Sequence, residues 1–241
     1  MTATLPFPPQ VAFVERADDV PLSTLYPREA EVVANAVESR RREFATVRAC
    51  ARTAMGRLGF APAPLLPGLR GAPQWPDGLV GTMTHCTGYR AAAVARATDL
   101  LSIGMDAERN LPLPGPDVLR HIALPDEQEQ LARLAPRHPA VCWDRLLFSA
   151  KESVYKTWFP PAGVFLDFLE CRVTLHPDTG TFTAHVLVPS PVVRGVSLSE
   201  FGGHWLVRDG LILTAIALTP SGTSRDWLVP EPEGARRSPA R

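Results

Sequence analysis

Three short segments of this 241-residue chain carry residue types that could do chemistry. They are GTMTHCTG at 81–88, SIGMDAE at 102–108 and FSAKESVYKTW at 148–158. Together they supply a histidine beside a turn, two closely spaced carboxylates and a Lys-Glu-Lys group. In proteins Mg²⁺ is usually held by one or two carboxylates together with substrate phosphates and water. The combination therefore indicates transfer chemistry on a metal-held pyrophosphate.

The second segment alternates between apolar and polar residues, which is typical of a strand. Ile103, Met105 and Ala107 would form the core side, so Asp106 and Glu108 project from the opposite face. On a strand the two acids stand roughly 6 to 7 Å apart along the chain. An exposed sheet face that happens to be acidic would explain these two residues equally well on their own.

The third segment has helical periodicity, with Lys151 in the middle of its apolar stripe. The stripe consists of Leu147, Phe148, Val154, Tyr155 and Trp158. A lysine in that position must either extend to solvent or meet a fixed anion. Glu152 and Lys156 lie one turn apart at the edge of the stripe, where an ordinary i,i+4 surface ion pair is the alternative interpretation.

The first segment places His85 at a predicted strand end, with Thr84 beside it and Gly88 in the following turn. A histidine there could donate to a phosphate oxygen, although a single histidine is more often a hydrogen-bonded core residue. Arginines that reach the same cleft could make bidentate contacts to phosphate, but roughly half of them should prove irrelevant to function. The candidates are Arg40, Arg41, Arg42, Arg48, Arg52 and Arg70.

Hydrophobic periodicity predicts a long helix over 28–58, with a break near Thr46 and Gly59 as its stop signal. The segment 61–78 contains five prolines and is predicted to be a long ordered loop. Three strands are expected to follow, at 79–85, 90–97 and 101–108. The alanine-rich middle strand has helical propensity, and only its neighbours favour a strand.

The C-terminal part is predicted to contain helices at 116–123, 126–134 and 144–159, then strands at 168–175, 181–188, 203–207 and 211–218. A sheet-and-helix unit thus occurs twice. We expect an α+β fold with two similar halves, each an antiparallel sheet against a long helix, and the active site in the cleft between them. The predicted divisions are an N-terminal half (1–124), a C-terminal half (125–220) and a disordered tail (221–241).

Composition limits the classes of function. Lys+Arg and Asp+Glu number 25 each, which argues against a nucleic-acid partner held by many phosphate contacts. The four cysteines have wide spacings without a C-x-x-C pair, so neither a zinc site nor a disulfide framework is expected. The N-terminal sequence MTATLPFPPQ does not resemble a signal peptide, and no run of 18 apolar residues occurs. A cytoplasmic protein without a membrane partner is predicted.

The three segments together resemble the signature of the 4'-phosphopantetheinyl transferases of the large, monomeric Sfp and EntD type. That signature is S-x-S/T-H-x-x-G, then G-I/V-D-x-E, then F/W-S/C-x-K-E-x-x-x-K. This chain has TMTHCTG at 82–88, GMDAE at 104–108 and FSAKESVYK at 148–156, in the same order and at similar separations. Thr82 in place of serine and Met105 in place of isoleucine or valine are mild departures.

The likeness covers about 40–218, and three further segments are similar to the EntD-like branch: EFATVRACAR, WPDGLVG and WDRLLF. The resemblance implies a monomer with two α+β halves, each a three-stranded antiparallel sheet packed by a helix. It also implies roles for single residues. Mg²⁺ would be held by Asp106, Glu108 and Glu152. The nucleotide phosphates of coenzyme A would be held by Thr84, His85, Arg40, Arg48 and Arg70, and the pyrophosphate by Lys151, Lys156 and, with the metal, Asp106.

The predicted function is transfer of the 4'-phosphopantetheine arm of coenzyme A to a serine of an apo acyl or peptidyl carrier protein, with release of adenosine 3',5'-bisphosphate. The expected catalytic residues are Glu152, Asp106 and Lys156, with Glu152 as general base, directly or through a metal-bound water. A Mg²⁺-dependent phosphohydrolase acting on a nucleotide diphosphate ester is the main alternative, and a non-catalytic binding module is another. The carrier protein, its pathway and the tolerance for acylated coenzyme A stay open.

Overall fold

The computed structural model of the chain describes residues 5–221. Its helices are α1 (Pro27–Val32), α2 (Glu38–Arg57), α3 (Pro116–Ile122), α4 (Pro125–Leu134) and α5 (Trp143–Ala162). Its strands are β1 (Ala12–Arg16), β2 (Leu79–Cys86), β3 (Tyr89–Arg96), β4 (Ser102–Arg109), β5 (Cys171–His176), β6 (Thr181–Val186), β7 (Val192–Val193), β8 (Val196–Ser197), β9 (Glu200–Arg208) and β10 (Leu211–Leu218). The predicted tail, apart from residue 221, lies outside the described residues.

The strands form two main antiparallel sheets, which confirms the predicted α+β class. The first sheet has the order β1-β3-β2, and the second has the order β4-β10-β9-β6-β5. The helix α2 packs on the first sheet and α5 on the second. The strand β1 was not predicted, and the second sheet has five strands where the resemblance implies three. The similarity of the two halves to each other stays a prediction.

The strand β4 belongs to the second sheet, although sequence order suggests a partner in β3. It pairs with β10, and Asp106 lies directly opposite Thr214. Its other edge lies beside β2, where threonine hydroxyls replace ladder hydrogen bonds. The Met105 amide donates to Thr82 Oγ1 over 3.3 Å, and the Ala107 amide donates to Thr84 Oγ1 over 3.1 Å. These hydroxyls satisfy the amides of an otherwise unpaired strand edge and join the two sheets. The division at 124/125 stays a prediction.

The long helix predicted over 28–58 is in fact two helices, and the predicted break near Thr46 is wrong. The chain leaves helical geometry after Val32 and resumes it at Glu38. Thr46 lies inside α2, where its hydroxyl donates to the Arg42 carbonyl over 2.7 Å and so has a local partner. A β-branched polar residue is therefore accommodated without ending the helix.

The alanine-rich strand β3 is confirmed, against its helical propensity. Its residues are almost all fully buried because both faces of the strand are covered. Ala91, Ala93 and Ala95 pack in a cluster with the second sheet, whereas Ala92 and Val94 pack under α2. Small side chains let both layers approach closely, so tertiary packing overrides the local preference.

The helix α5 packs onto β4 without intervening side chains. Gly104 makes this possible, because a Cβ at that position would overlap the Ser153 carbonyl oxygen and the Thr157 hydroxyl. The face of β4 that carries Asp106 is therefore covered by α5, not exposed opposite the core as the alternation suggested. Residues of α5 are brought within hydrogen-bonding distance of Asp106 as a result.

Replacing Gly104 with alanine is expected to lower the free energy of unfolding by about 2 to 3 kcal/mol or more, because α5 must move away from β4. Gly56→Ala is the matched control. Gly56 lies in α2 with open space around its Cα, so alanine there should stabilise the protein by up to about 1 kcal/mol. Urea denaturation of both variants measures the difference, and equal stabilities would contradict the close-packing argument.

Candidate functional site

Asp106 is the centre of the candidate site. Its carboxylate is 5% exposed and is held by three side chains. Lys156 Nζ lies 2.7 Å from Oδ1, and the Thr84 hydroxyl lies 3.3 Å from the same oxygen. The Ser149 hydroxyl donates to Oδ2 over 2.9 Å. The structure therefore brings together residues from all three sequence segments: Thr84 from β2, Asp106 from β4, and Ser149 and Lys156 from α5.

Glu108 and Glu152 lie within electrostatic range of Asp106. Burial raises the pKa of Glu108, and the negative charge of Asp106 raises it further, while Arg145 Nη1 at 3.1 Å from Glu108 Oε2 has the opposite effect. Burial also raises the pKa of Glu152, with Lys156 opposing and Asp106 reinforcing that shift. The negative charge of Asp106 thus opposes ionisation of both glutamates.

A pocket of about 250 Å³ opens beside this group. Glu152 and Lys156 line one side, and Arg70 of the proline-rich loop lines another. The Arg70 guanidinium also lies 4.5 Å above the Phe165 ring, a cation–π contact that orients the side chain. The pocket therefore presents one carboxylate and two cationic groups to an incoming ligand.

His85 lies in a second polar cluster next to the pocket. Its Nε2 is 2.7 Å from Arg40 Nη1 and 3.3 Å from Glu43 Oε2. An arginine can only donate, so Nε2 accepts in the contact with Arg40. Burial lowers the pKa of His85, and the charges of Arg40 and Lys156 lower it further. Arg40 is half-exposed and can still reach a bound anion.

Lys151 lies beside the candidate site, where it lines a neighbouring pocket with Arg70 and Glu152. Of the two alternatives for its place in the apolar stripe, solvent or a fixed anion, the structure shows the anion, which is the protein's own Glu127. Lys151 Nζ lies 2.8 Å from Glu127 Oε2 and donates to the carbonyls of Phe168 and Cys171, also over 2.8 Å. All three ammonium protons are thereby used, and the residue is 3% exposed. In this structure Lys151 therefore forms a buried ion pair, and its predicted contact with pyrophosphate stays a prediction.

Arg48 is also placed in the core, away from its predicted role. Its Nε donates to the Leu65 carbonyl over 2.7 Å and lies 3.8 Å from Glu29 Oε1. Burial lowers the pKa of Arg48 to about 10, although the charge of Glu29 has the opposite effect. Glu29 also binds Arg52 and the Leu65 amide, so Arg48 helps to fix the proline-rich loop. It is not directed towards a phosphate in this arrangement.

The donor chemistry of the carboxylates fits a magnesium ion, although they do not form a preassembled cluster. Among residues 5–221, no group of three or more His, Cys, Asp and Glu side chains is arranged to hold a metal. Lys156 and Ser149 donate hydrogen bonds to the Asp106 carboxylate, and Arg145 donates one to Glu108. Glu108 and Glu152, whose pKa values are raised by burial and further by the charge of Asp106, are nevertheless oxygen donors suited to a hard cation that also binds substrate phosphate.

Sequence reasoning missed several residues that hold the site. Arg145 fixes Glu108, and Glu43 contacts the Arg40–His85 pair. Both lie in segments that resemble the EntD-like branch, so that likeness was a usable signal. Ser149 belongs to the third motif itself. Its partner Thr214 is the single hydroxyl in the apolar run LILTAIAL, which is the kind of exception that marks a buried polar contact.

Within the described part of the chain, no helix has both the length and the apolar character needed to span a membrane.

Comparison with protein families identifies two matching regions. Residues 28–95 match the model of the 4'-phosphopantetheinyl transferase N-terminal domain. Residues 102–205 match the model of the 4'-phosphopantetheinyl transferase superfamily. The second region begins at the first residue of β4, which the structure also places with the C-terminal sheet.

Two of the similar proteins are themselves named 4'-phosphopantetheinyl transferase. The 4'-phosphopantetheinyl transferase Svp of Streptomyces mobaraensis is 59% identical over 216 residues, or 89% of this chain and 87% of Svp. The 4'-phosphopantetheinyl transferase PptT of Mycobacterium tuberculosis is 44% identical over 212 residues, or 86% of this chain and 92% of PptT. Enterobactin synthase component D of Salmonella typhimurium is 28% identical over 185 residues, or 76% of this chain and 74% of that protein.

The buried position of Lys151 gives a stability prediction. Lys151→Ala should lower the free energy of unfolding by about 3 to 5 kcal/mol, because Glu127 is left buried without its counter-charge. Arg172→Ala is the matched control. It removes an ion pair between Arg172 of β5 and Asp126 of α4, the residue next to Glu127, but both partners are about half exposed. Its cost should stay below about 1 kcal/mol in urea denaturation. Similar costs for the two variants would contradict the buried ion pair.

Proposed function

We propose that the cleft of this chain, which belongs to the 4'-phosphopantetheinyl transferase superfamily, binds coenzyme A as donor. The acceptor is a serine of an apo acyl or peptidyl carrier protein. The chain is a 4'-phosphopantetheinyl transferase, and its reaction moves the phosphopantetheine arm to a carrier protein. One observation supports the placement of the reaction: Glu152 and Lys156 line one pocket, and Asp106 lies in direct contact with Lys156.

The cationic side chains around the pocket are suited to the phosphates of coenzyme A. We assign Lys156 and Arg70, on two sides of the pocket, to the pyrophosphate. Arg40, His85 and Thr84 form the neighbouring polar edge and are assigned to the remaining nucleotide phosphate. Lys151 and Arg48 are left out of this assignment, because their donors are used within the core.

Asp106, Glu108 and Glu152 are proposed to hold Mg²⁺ together with the pyrophosphate oxygens. A bound Mg²⁺ neutralises charge on the phosphates and on the leaving group. The protein needs to supply only part of the coordination shell, since Mg²⁺ usually keeps waters and substrate oxygens. A partial shell of protein ligands agrees with the structure, in which the three carboxylates lie near one another but do not form a preassembled metal site.

The transfer forms a bond between the serine oxygen and the β-phosphorus and breaks the bond from that phosphorus to the bridging oxygen. The serine hydroxyl must lose a proton, and Glu152 is the proposed acceptor. Burial raises the pKa of Glu152, which makes its carboxylate a stronger base than an exposed one. Lys156, on the same face of α5 one turn away, then faces the negative charge that develops on the phosphate oxygens.

Glu152→Gln should reduce the rate of carrier modification roughly 10²- to 10⁴-fold without unfolding the protein, because the amide keeps the shape but cannot accept the proton. Glu129→Gln, on the exposed face of α4, is the control and should leave the rate unchanged. Intact-mass analysis of an apo carrier protein after incubation with coenzyme A and MgCl₂ measures the gain of one phosphopantetheine arm. A Glu152→Gln enzyme with a wild-type rate would exclude the base role.

The same assay separates transfer from the hydrolytic alternative. Release of adenosine 3',5'-bisphosphate from coenzyme A should require the apo carrier protein. Release at a similar rate without any acceptor would favour the phosphohydrolase. A carrier that binds but gains no mass would instead favour the non-catalytic binding module.

Removal of divalent cations with EDTA should abolish carrier modification, and an excess of MgCl₂ should restore it. The physical reason is that three carboxylates and a pyrophosphate cannot approach one another without a counter-ion. Circular dichroism in EDTA provides the control, because the hydrogen bonds of Asp106 and Glu108 to Ser149, Lys156 and Arg145 keep the fold intact without metal. Full activity in EDTA would show that no divalent cation takes part.

A further inference from the structure

Behind Asp106 lies a row of three completely buried hydroxyls that the proposed mechanism does not use. They belong to Ser149 and Ser153 on α5 and to Thr214 on β10. Thr214 lies directly opposite Asp106 in the β4–β10 ladder, so both side chains project towards α5. We name Ser153, Thr214 and Ser149 together the hydroxyl chain.

The distances within the hydroxyl chain are all those of hydrogen bonds. Ser153 Oγ lies 2.6 Å from Thr214 Oγ1. Thr214 Oγ1 lies 2.9 Å from the Ser149 carbonyl oxygen and 3.0 Å from Ser149 Oγ. Ser149 Oγ lies 2.9 Å from Asp106 Oδ2. The chain therefore runs without a gap from the core to the carboxylate.

The donor and the acceptor in each of these hydrogen bonds follow from the number of protons that each group can donate. Each hydroxyl donates once, and an ionised carboxylate only accepts. The proton of Ser149 goes to Asp106, because a charged acceptor makes the stronger hydrogen bond. Thr214 then donates to the Ser149 carbonyl, and Ser153 donates to Thr214. Thr214 thereby holds the backbone of α5 at Ser149, and the Ser149 hydroxyl holds Asp106, so the position of the carboxylate relative to the helix is fixed through Ser149.

We propose that Ser149 and Thr214 are positioning residues of the transfer reaction, because the hydroxyl chain holds Oδ2 of Asp106 and thereby directs Oδ1 towards Lys156, which lines the pocket. This inference rests on the proposed role of Asp106. The carboxylate is held at Oδ2 by a group that cannot leave the core, so Oδ1 keeps its orientation towards Lys156 when ligands bind and dissociate.

The orientation matters because Oδ1 is the oxygen that lies 2.7 Å from Lys156 Nζ. Without the Ser149 hydroxyl, Oδ2 loses this hydrogen bond, and the carboxylate is held only through the contacts of Oδ1 with Lys156 and Thr84. Catalytic rates fall steeply when a reacting group is displaced by even 1 Å, on the order of 10²-fold. Binding of the donor should suffer less, since several cationic side chains contribute to it.

The first test is kinetic. Ser149→Ala should lower kcat for carrier modification roughly 10- to 100-fold, with a smaller change in KM for coenzyme A. Thr214→Val should lower kcat less, because Ser149 keeps its bond to Asp106, and Thr214→Ser should restore it by returning the hydroxyl. Equal kcat values for Thr214→Val and Thr214→Ser, or a wild-type kcat for Ser149→Ala, would overturn the proposal.

Ser102→Ala is the matched control. Ser102 is a buried hydroxyl that joins the same strand to the same helix, donating to the Thr157 carbonyl over 2.7 Å, but it does not contact Asp106. It should lower the thermal midpoint about as much as Ser149→Ala while leaving kcat unchanged. An equal loss of kcat in Ser102→Ala would show that loosened packing of α5, and not the position of Asp106, causes the effect.

The second test does not depend on turnover. The Kd of coenzyme A in MgCl₂ is measured by calorimetry for the wild type, Ser149→Ala, Asp106→Asn and the double variant. If Ser149 acts through Asp106, Ser149→Ala weakens binding in the wild type but causes no further loss in Asp106→Asn. Additive losses, or no effect of either single variant, would overturn the inference. A wild-type protein that binds coenzyme A but modifies no carrier would instead contradict the proposed function, and the cycle would still decide the role of Ser149.

Discussion

The direct packing of α5 on β4 is the constraint on which the candidate site depends. Gly104 leaves room for the backbone of α5 at Ser153 and the side chain of Thr157, so the helix lies closer to the strand than any side chain would allow. The helix α5 then carries charged residues on two sides, one directed to the core and the other to the pocket. Lys151 is fixed in the core by Glu127, and Glu152 and Lys156 face the pocket. A rotation of α5 large enough to remove Lys156 from Asp106 would also break the buried ion pair, so the core ion pair fixes the orientation of the site.

The sequence predicted the parts of this arrangement that depend on periodicity. Alternation in SIGMDAE and the helical spacing of Glu152 and Lys156 placed the charged residues on defined faces, and the motif resemblance indicated that those faces meet. Alternation could not show which strand pairs with β4, because the side-chain period of two gives the face but not the neighbour. The nearest strand in sequence, β3, was the natural expectation. The pairing with β10, more than 100 residues away (from 102–109 to 211–218), follows from contacts that no local pattern encodes.

The charged residues of the core show a second limit of sequence reasoning. Physical argument required either solvent or an anion for Lys151, and the structure shows an anion, the side chain of Glu127. Arg48 similarly serves the proline-rich loop through Leu65 and the buried Glu29. The rule that a buried charge needs a partner is correct, yet it does not identify the partner. In a protein with 25 cationic and 25 anionic residues, only the tertiary structure shows which charged side chains pair with each other.

The balance of charge at the site supports a divalent cation in the proposed reaction. Three carboxylates, Asp106, Glu108 and Glu152, share the site with two paired cations, Lys156 and Arg145. This group therefore carries one net negative charge before any ligand arrives. A pyrophosphate adds further negative charge, and burial makes the repulsion stronger than it would be in water. Arg70 and Arg40 can attract the donor, but Arg70 is held against Phe165 and Arg40 against His85, and neither forms an ion pair with the three carboxylates among the contacts described above. A small ion with oxygen ligands fits between the carboxylates and the phosphates, and it would bind most tightly when the pyrophosphate supplies the remaining ligands.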